Sequence, residues 1–413
     1  MSAPALPIAI VGGGIAGLAL ALNLHARGIP ARVFEGVPEL HELGVGITLL
    51  PHAVRELNAL GLGQEAANLG VENTRSAFYN RFGQHIFAEP RGIAAGYPFP
   101  EYGVHRGQLH MMLYQAVLDR IGADAVAVDH RCVGVTQTEG KVTLKFVDST
   151  GTARTDVTAS AVIACDGVNS AVRAQFYPGE QVRYTGINTW RGTTRMRPIL
   201  DGRTYLRVGS LRTGKMVIYP IVDDMDGSGD QLMNWVAEIE SDRSTPNDWN
   251  RTTKAANVLP LFADWHFDWL DVPTMIERAE TIFEYPMVDK DPVDRWTFDN
   301  VTFAGDAAHP MYPRGSNGSA QALIDVRTLA DCLTAAPLPD ALLAYEILRR
   351  ETTAAIVQMN RSNPPDIINI RVEELTGDKP FDDLSKFITQ EQLRSMSDDY
   401  KRVAGFGLAD VAR

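Results

Sequence analysis

Two glycine-rich stretches hold the residues best suited to chemistry in this chain. The first, Gly12-Gly13-Gly14-Ile15-Ala16-Gly17, is a GxGxxG between the β-rich run Pro7 to Val11 and a helix-forming run, Ile15 to Arg27. In that setting Gly12 permits a tight turn, Gly14 lets a pyrophosphate approach the backbone, and Gly17 lets the helix lie close to the strand. Ile15 and Ala16 open the helix, whose unpaired N–H groups and positive dipole end favour phosphate. Glu35 closes a second apolar strand, "ARVFE", at the spacing where a carboxylate bonds a ribose hydroxyl pair. The second stretch is "FAGDAAHPMYPRGSNG", Phe303 to Gly318. Its Asp306, just beyond a strand, is placed to accept hydrogen bonds from a sugar or polyol. The N–H groups of Gly315, Ser316, Asn317 and Gly318 enter a helix and suit negative charge on a flat ring. One such loop predicts a nucleotide. Two that must meet predict a longer, two-ended cofactor.

The intervening elements have to bring these loops together. "LGVGITLLPHAVRELNALGL" reads as a strand and then a helix from Pro51, and "VHRGQLHMMLYQAVLDRIG" as a helix opened by His105-Arg106-Gly107. Alternation around Glu139-Gly140 marks a hairpin, followed by the buried-type strand "AVIACDG". From residue 177 to 284 aromatic-rich strands alternate with acidic loops, the texture of an antiparallel sheet carrying a pocket. "RWTFDNVTFAGDAAH" restores a buried strand. The expected architecture is α/β: a Rossmann-like domain in two parts, 1–176 and 285–363, interrupted by a β-sheet substrate domain, 177–284, with C-terminal helices in 364–413.

Composition narrows the function classes. The chain has 413 residues, 45% hydrophobic and 22% charged, with a formal charge of −12 and no basic block. Nucleic-acid backbones and membrane surfaces are therefore not expected partners. Three scattered cysteines form no CxxC pair and point to the cytoplasm, and no histidine pairs with Cys or carboxylates at metal spacing. The apolar run Ile8 to Leu24 has no preceding Lys or Arg and has glycines at its centre. A strand-to-helix turn explains it better than a signal peptide.

The ordered set of motifs resembles single-component, FAD-dependent aromatic monooxygenases. It comprises the GxGxxG with Glu35, "HRGQL" with Arg106, "CDGVNSAVR" from Cys165 to Arg173, and "GDAAHPMYP" with "GSNG", spanning roughly Ile8 to Arg350. "LGVGITLLPHAV", "TWRG", "YPMVDKDP" and "GSNGSAQALID" are most similar to the phenazine-modifying branch, with salicylate and hydroxynicotinate hydroxylases more distant. The resemblance implies that Gly12, Gly14, Gly17 and Glu35 hold the ADP half of a non-covalent FAD. It implies that Arg106 and Asp306 hold the phosphate–ribityl stretch, and that Gly315 to Gly318 face the pyrimidine. Asp166 and Gly167 match a motif tied to both FAD and NAD(P)H. Many relatives carry a GQG-type sequence where this chain has Gly315-Ser316-Asn317-Gly318, so their substrate rules transfer poorly. The implied chemistry uses NAD(P)H as transient reductant, O2, a flavin hydroperoxide and an electron-rich aromatic or N-heteroaromatic acid.

Candidates for catalysis and substrate contact remain. His309 is a candidate general base, since histidine is the side chain that ordinarily exchanges protons near neutral pH, although its motif also serves to turn the chain. His52 and Arg55 lie near a helix start that borders the flavin in this family. Tyr219 and Tyr285 end apolar strands beside prolines and are candidate pocket walls. Arg314, one residue before the flavin turn, has a planar fork suited to a carboxylate or phenolate. A Baeyer–Villiger or epoxidising oxygenase on the same fold is the alternative reading. A plain NAD-linked dehydrogenase leaves Asp306 and Gly315 to Gly318 without a purpose, and a non-catalytic flavin-binding protein leaves the strand-rich insertion without one. The oligomeric state, monomer or homodimer, is open.

Overall fold

A computed structural model describes residues 6–42, 44–241, 251–362, 366–403 and 407, without the side chains of 285 and 286. Its organising element is a five-stranded parallel sheet, in the order Val301–Phe303, Ala161–Ala164, Ile8–Val11, Ala31–Phe34 and Val126–Ala127. Strands Ile8–Val11 and Ala161–Ala164 are short runs of Val, Ile and Ala, as expected for strands covered on both faces, while Ala31–Phe34 adds the exposed Arg32. Helices Ile15–Ala26 and Gly318–Ala335 bury Leu18, Leu20, Leu24, Leu323, Val326 and Leu329 in the same core. Because the strands are parallel, all their carboxyl ends share one edge, where ligands of open α/β sheets bind. Gly12, Glu35, Asp166 and Asp306 each lie just beyond such an end.

A second, eight-stranded sheet packs beyond that edge. Its order is Thr252–Thr253, Ile282–Asp289, Arg183–Met196, Gln231–Glu240, Gly214–Val222, Thr204–Ser210, Arg75–Tyr79 and His85–Pro90. The last two strands come from the stretch before residue 176, and Ile282–Asp289 runs past 284. The sheet is therefore wider than the 177–284 segment that the strand-rich texture marks out. No texture change flags residues 75–90, because two strands joined by a five-residue loop look the same in either domain. One face of this sheet carries a core of Trp190, Trp235, Trp265, Phe262, Met275 and Ile276. Trp235 and Trp265 are core residues as their composition predicts, and Trp269 is half-buried beside them. The hairpin Arg131–Thr138 with Lys141–Val147 turns at Glu139 (φ 49°) and Gly140 (φ 74°), a geometry that matches strand twist. In the C-terminal segment, helices Ile367–Thr376 and Gln390–Val403 pack against the edge strands 75–79 and 85–90 through Ile368, Val372 and Leu393.

Candidate active site

At the first loop, Gly12 adopts φ 102°, and a Cβ there would lie 2.5 Å from Cys165 O. A Cβ on Gly17 would lie 1.9 Å from Gly12 O. These two glycines are required by the turn itself. Gly14 is different: nothing lies within 4 Å of a Cβ built on it, and the helix it caps has no side-chain cap. An uncapped helix start facing open space fits a pyrophosphate. Ile15 and Ala16 form that first turn. Glu35 accepts the Gly13 N–H at 2.6 Å and the Val37 N–H at 3.0 Å, which locks its carboxylate at the mouth of the loop. His110, from the helix Arg106–Arg120, adds an Nε2–H bond to Gly13 O at 2.6 Å. Sequence patterning gave no hint of it.

The second loop meets the first. A Cβ on Gly305 (φ 59°) would lie 3.2 Å from Ala16 Cβ and 3.4 Å from Ala322 Cβ, so the Gly305–Asp306 turn sits between the two helix starts. Asp306 is exposed and has no hydrogen-bond partner among the described residues, yet it is densely surrounded. Desolvation raises its pKa, against the opposing charges of His309 and Arg106. Arg106 is exposed beside Gly44, with its guanidinium 3.8 Å from a Cβ built there. An unpartnered carboxylate and an exposed cation over one cleft fit a polyol and a phosphate. Asp166 instead caps a helix: its Oδ2 accepts the Ala171 N–H at 2.9 Å, while Oδ1 is buried without a partner. Gly167 (φ 76°) follows it, with open space around its Cα.

A buried polar chain holds the turn at Gly315 to Gly318. His52 Nε2 donates to Asn317 Oδ1 at 2.8 Å, and Gln321 Nε2 donates to the same oxygen at 3.2 Å. Arg349 joins Gln321 Oε1 at 2.5 Å and Asp325 Oδ1 at 2.7 Å. Asp325 Oδ2 then accepts from His309 Nε2 at 2.5 Å and from the Gly305 N–H at 3.1 Å. The chain thus ties the two ends of the second loop together, from Gly305 to Asn317. Burial pushes His52 down to about 4, so it is neutral near pH 7. Burial alone would raise the Asp325 carboxyl, but His309 and Arg349 outweigh it and hold it low. Arg173, fully buried, bonds Ala307 O at 3.0 Å, Ala308 O at 2.7 Å and both oxygens of Glu180.

The residues nominated for catalysis are differently placed. His309 is 4% exposed and committed to Asp325, which corrects the picture of a base open to substrate. Arg314 is turned inward too: its guanidinium lies 3.5 Å from Asp366 and 4.9 Å from the Tyr312 ring. The fork expected to hold a substrate carboxylate therefore meets one from its own chain. His52 faces Asn317. Tyr219 is buried and stacks on Tyr205 at 4.9 Å and 13°, and the Tyr205 hydroxyl lies 3.3 Å from Ser316 Oγ. Strand 282–289 pairs Tyr285 with Thr189, but the Tyr285 side chain lies outside the described residues.

A small cleft opens beside Gly315, between the edge of the eight-stranded sheet and helix 390–403. Phe78, Arg91, Tyr97, Arg207 and Tyr400 are among the residues that line it. Arg207 is 7% exposed and bonds Ser76 Oγ at 2.6 Å, with its guanidinium over the Tyr205 ring (4.6 Å) and the Phe78 ring (5.0 Å). No carboxylate among the described residues forms an ion pair with it. Arg91 also lies over the Tyr205 ring, at 4.7 Å, and pairs with Glu101 at 2.7 Å. The signal for Arg207 was present in "TYLRVGS": one cation in a strand that is buried throughout.

A family model described as an FAD binding domain matches residues 5–360. This chain belongs to that family. It is 40% identical over 361 residues to a phenazine 1,6-dicarboxylic acid hydroxylase, PhzS, of Lysobacter antibioticus, covering 86% of this chain and 89% of the relative. A 3-amino-4-hydroxybenzoate 2-monooxygenase of Streptomyces cremeus is 34% identical over 84% of each chain. Among solved structures, Klebsiella pneumoniae HpxO with FAD and uric acid superposes at TM-score 0.77 and 22% identity, covering 98% of this chain and 97% of that one. The flavoprotein is thus an FAD-dependent aromatic monooxygenase with the fold of the structurally known hydroxylases. Among its described residues no helix is long and apolar enough to cross a membrane.

Proposed function

We propose that this enzyme uses NAD(P)H and O2 to hydroxylate an aromatic or N-heteroaromatic carboxylic acid bound in the cleft beside Gly315. The carrying observation is Arg207, a buried cation over two aromatic rings that forms no ion pair with a carboxylate among the described residues, although Glu89 and Glu101 line the same cleft. A buried charge is costly unless paired, so the site favours an anion that arrives with the ligand. Phe78 and Tyr97 line the cleft and offer flat apolar surface to a ring, and Arg91 offers a second cation with its NH1 group buried and unpartnered. The named acids of the two relatives, a phenazine dicarboxylate and an aminohydroxybenzoate, have this chemistry.

In this reading FAD supplies the transfer of electrons to oxygen and of one oxygen atom to the ring. Gly12, Gly14, Ile15, Ala16, Gly17 and Glu35 hold its ADP end, while Arg106 and Asp306 hold the middle. The N–H groups of Gly315 to Gly318 meet the ring, and Asp166 and Gly167 keep the adjoining turn in shape. His309 positions the Gly305 turn through Asp325 rather than moving a substrate proton. Arg314 supports the turn from behind. We further propose the cytoplasm as its site, on its three free, buried cysteines. The test is product analysis with labelled O2: at least one aromatic acid should gain one labelled oxygen per NAD(P)H consumed. A ring-expanded ester or an epoxide would move the enzyme to the alternative chemistry, and a panel of acids returning only peroxide would refute the substrate class.

A further inference from the structure

Helix Gln390–Val403 lies beyond the family match, which ends at residue 360, yet it reaches the turn proposed to face the flavin. Tyr400, 3% exposed, directs its hydroxyl to Arg314 O at 3.2 Å and to Asn360 Oδ1 at 3.1 Å. Asn360 donates in turn to Tyr312 O at 2.9 Å, so the carbonyls on both sides of Pro313 are held. The approach is close: a Cβ on Gly315 (φ 79°) would lie 1.8 Å from the Tyr400 oxygen. Glycine is needed there both by its dihedral and by the tyrosine. Burial raises the phenol pKa, so the hydroxyl keeps its proton.

We propose that Tyr400 is a positioning residue for the flavin turn, which makes helix 390–403 a working part of the active site. The carbonyl of Arg314 and the N–H of Gly315 belong to one planar trans peptide and point in opposite directions. A hydroxyl that holds the carbonyl therefore aims the N–H away from the helix, and polarises it as a donor. Gly315 to Gly318 stabilise charge on a ring only if their N–H groups are aimed before the ring is reduced. The same helix is tied to the sheet edge by Lys401 and Ser397, at 2.7 and 2.9 Å from Glu89. The inference rests on the proposed seat of the flavin and not on the identity of the substrate.

The test compares purified holoenzyme with Tyr400→Phe, which keeps the ring and removes only the hydroxyl. FAD affinity should fall roughly tenfold, with reduced flavin losing more than oxidised flavin. A tenfold difference between the two lowers the midpoint potential by about 30 mV for a two-electron couple. Visible circular dichroism of the bound flavin should change with it. Arg394→Ala, exposed on the same helix, should leave potential and spectrum unchanged. A folded Tyr400→Phe protein with unaltered potential and spectrum overturns the proposal. Asp306→Asn separates the premise: if it too leaves FAD affinity unchanged, the fault lies in the flavin's seat. Hydrogen exchange of the wild-type protein gives a reading independent of any variant. Added FAD should protect residues 311–318 and 390–403 together, and protection of the turn alone contradicts the coupling.

Discussion

Asp306 and Arg207 are opposite cases of a charged side chain without an ion-pair partner among the described residues. Asp306 is exposed at a strand end, and its role follows from an open carboxylate beside a helix start. Asp306→Ala should keep the fold and lose a charge-assisted hydrogen bond worth about 1.5–3 kcal/mol, roughly ten- to a hundredfold in FAD affinity. Fluorescence titration of apoprotein with FAD checks this, and an unchanged constant removes Asp306 from the cofactor site. Arg207→Met should raise KM for aromatic acids by a similar factor, spare neutral analogues and leave FAD binding intact. Equal losses on both substrate types would exclude a carboxylate contact. The position of Asp306 just beyond a strand was legible in the chain, because a strand end leaves a local signature. Arg314 was not, because nothing near "YPRGSNG" shows that Asp366, fifty-two residues on, supplies its counter-ion.

At the scale of elements, the glycine loop and the helix starts could be read from spacing, since backbone conformation leaves a local signature. The buried chain from His52 to His309 could not, because its six side chains come from four separate segments. It carries a pH consequence. His52 is lowered to about 4 in the folded protein against 6.5 for an ordinary histidine. Between those values the unfolded chain binds the extra proton, so its contribution to stability is complete above about pH 6.5 and is lost as pH falls toward 4. The span is on the order of 3 kcal/mol. Melting temperature against pH should fall more steeply through this window for the wild type than for His52→Gln, and parallel curves would show that His52 does not titrate there. Arg173→Met removes the cation that ties the Ala307 and Ala308 carbonyls to Glu180. Glu180 keeps Lys290 as a cationic partner, so the cost is that of the lost charged hydrogen bonds, about 1.5–3 kcal/mol each, measurable by urea unfolding, and a loss below about 1 kcal/mol would mean that the turn holds itself.

Across the whole molecule, two sheets serve one site. The parallel sheet brings four loop residues to a single edge, and in the proposed reading the eight-stranded sheet supplies Phe78 and Arg207, with Arg91 just beyond its last strand, to the cleft beside Gly315. The division into α/β and strand-rich parts could be seen in the texture of the chain. The contribution of strands 75–79 and 85–90 to the second sheet could not, because pairing across more than a hundred residues leaves no local pattern. The central claim is that a flavin at this edge and an aromatic acid in the adjoining cleft act together. Anaerobic rapid mixing of the FAD-loaded enzyme with NADH or NADPH, with and without a panel of aromatic acids, tests it most directly. The account predicts yellow protein that releases FAD on mild denaturation, whose absorbance bleaches with one nicotinamide and faster when a bound acid is present. Protein that carries no flavin, or flavin that neither nicotinamide reduces in the presence of any acid, would contradict it.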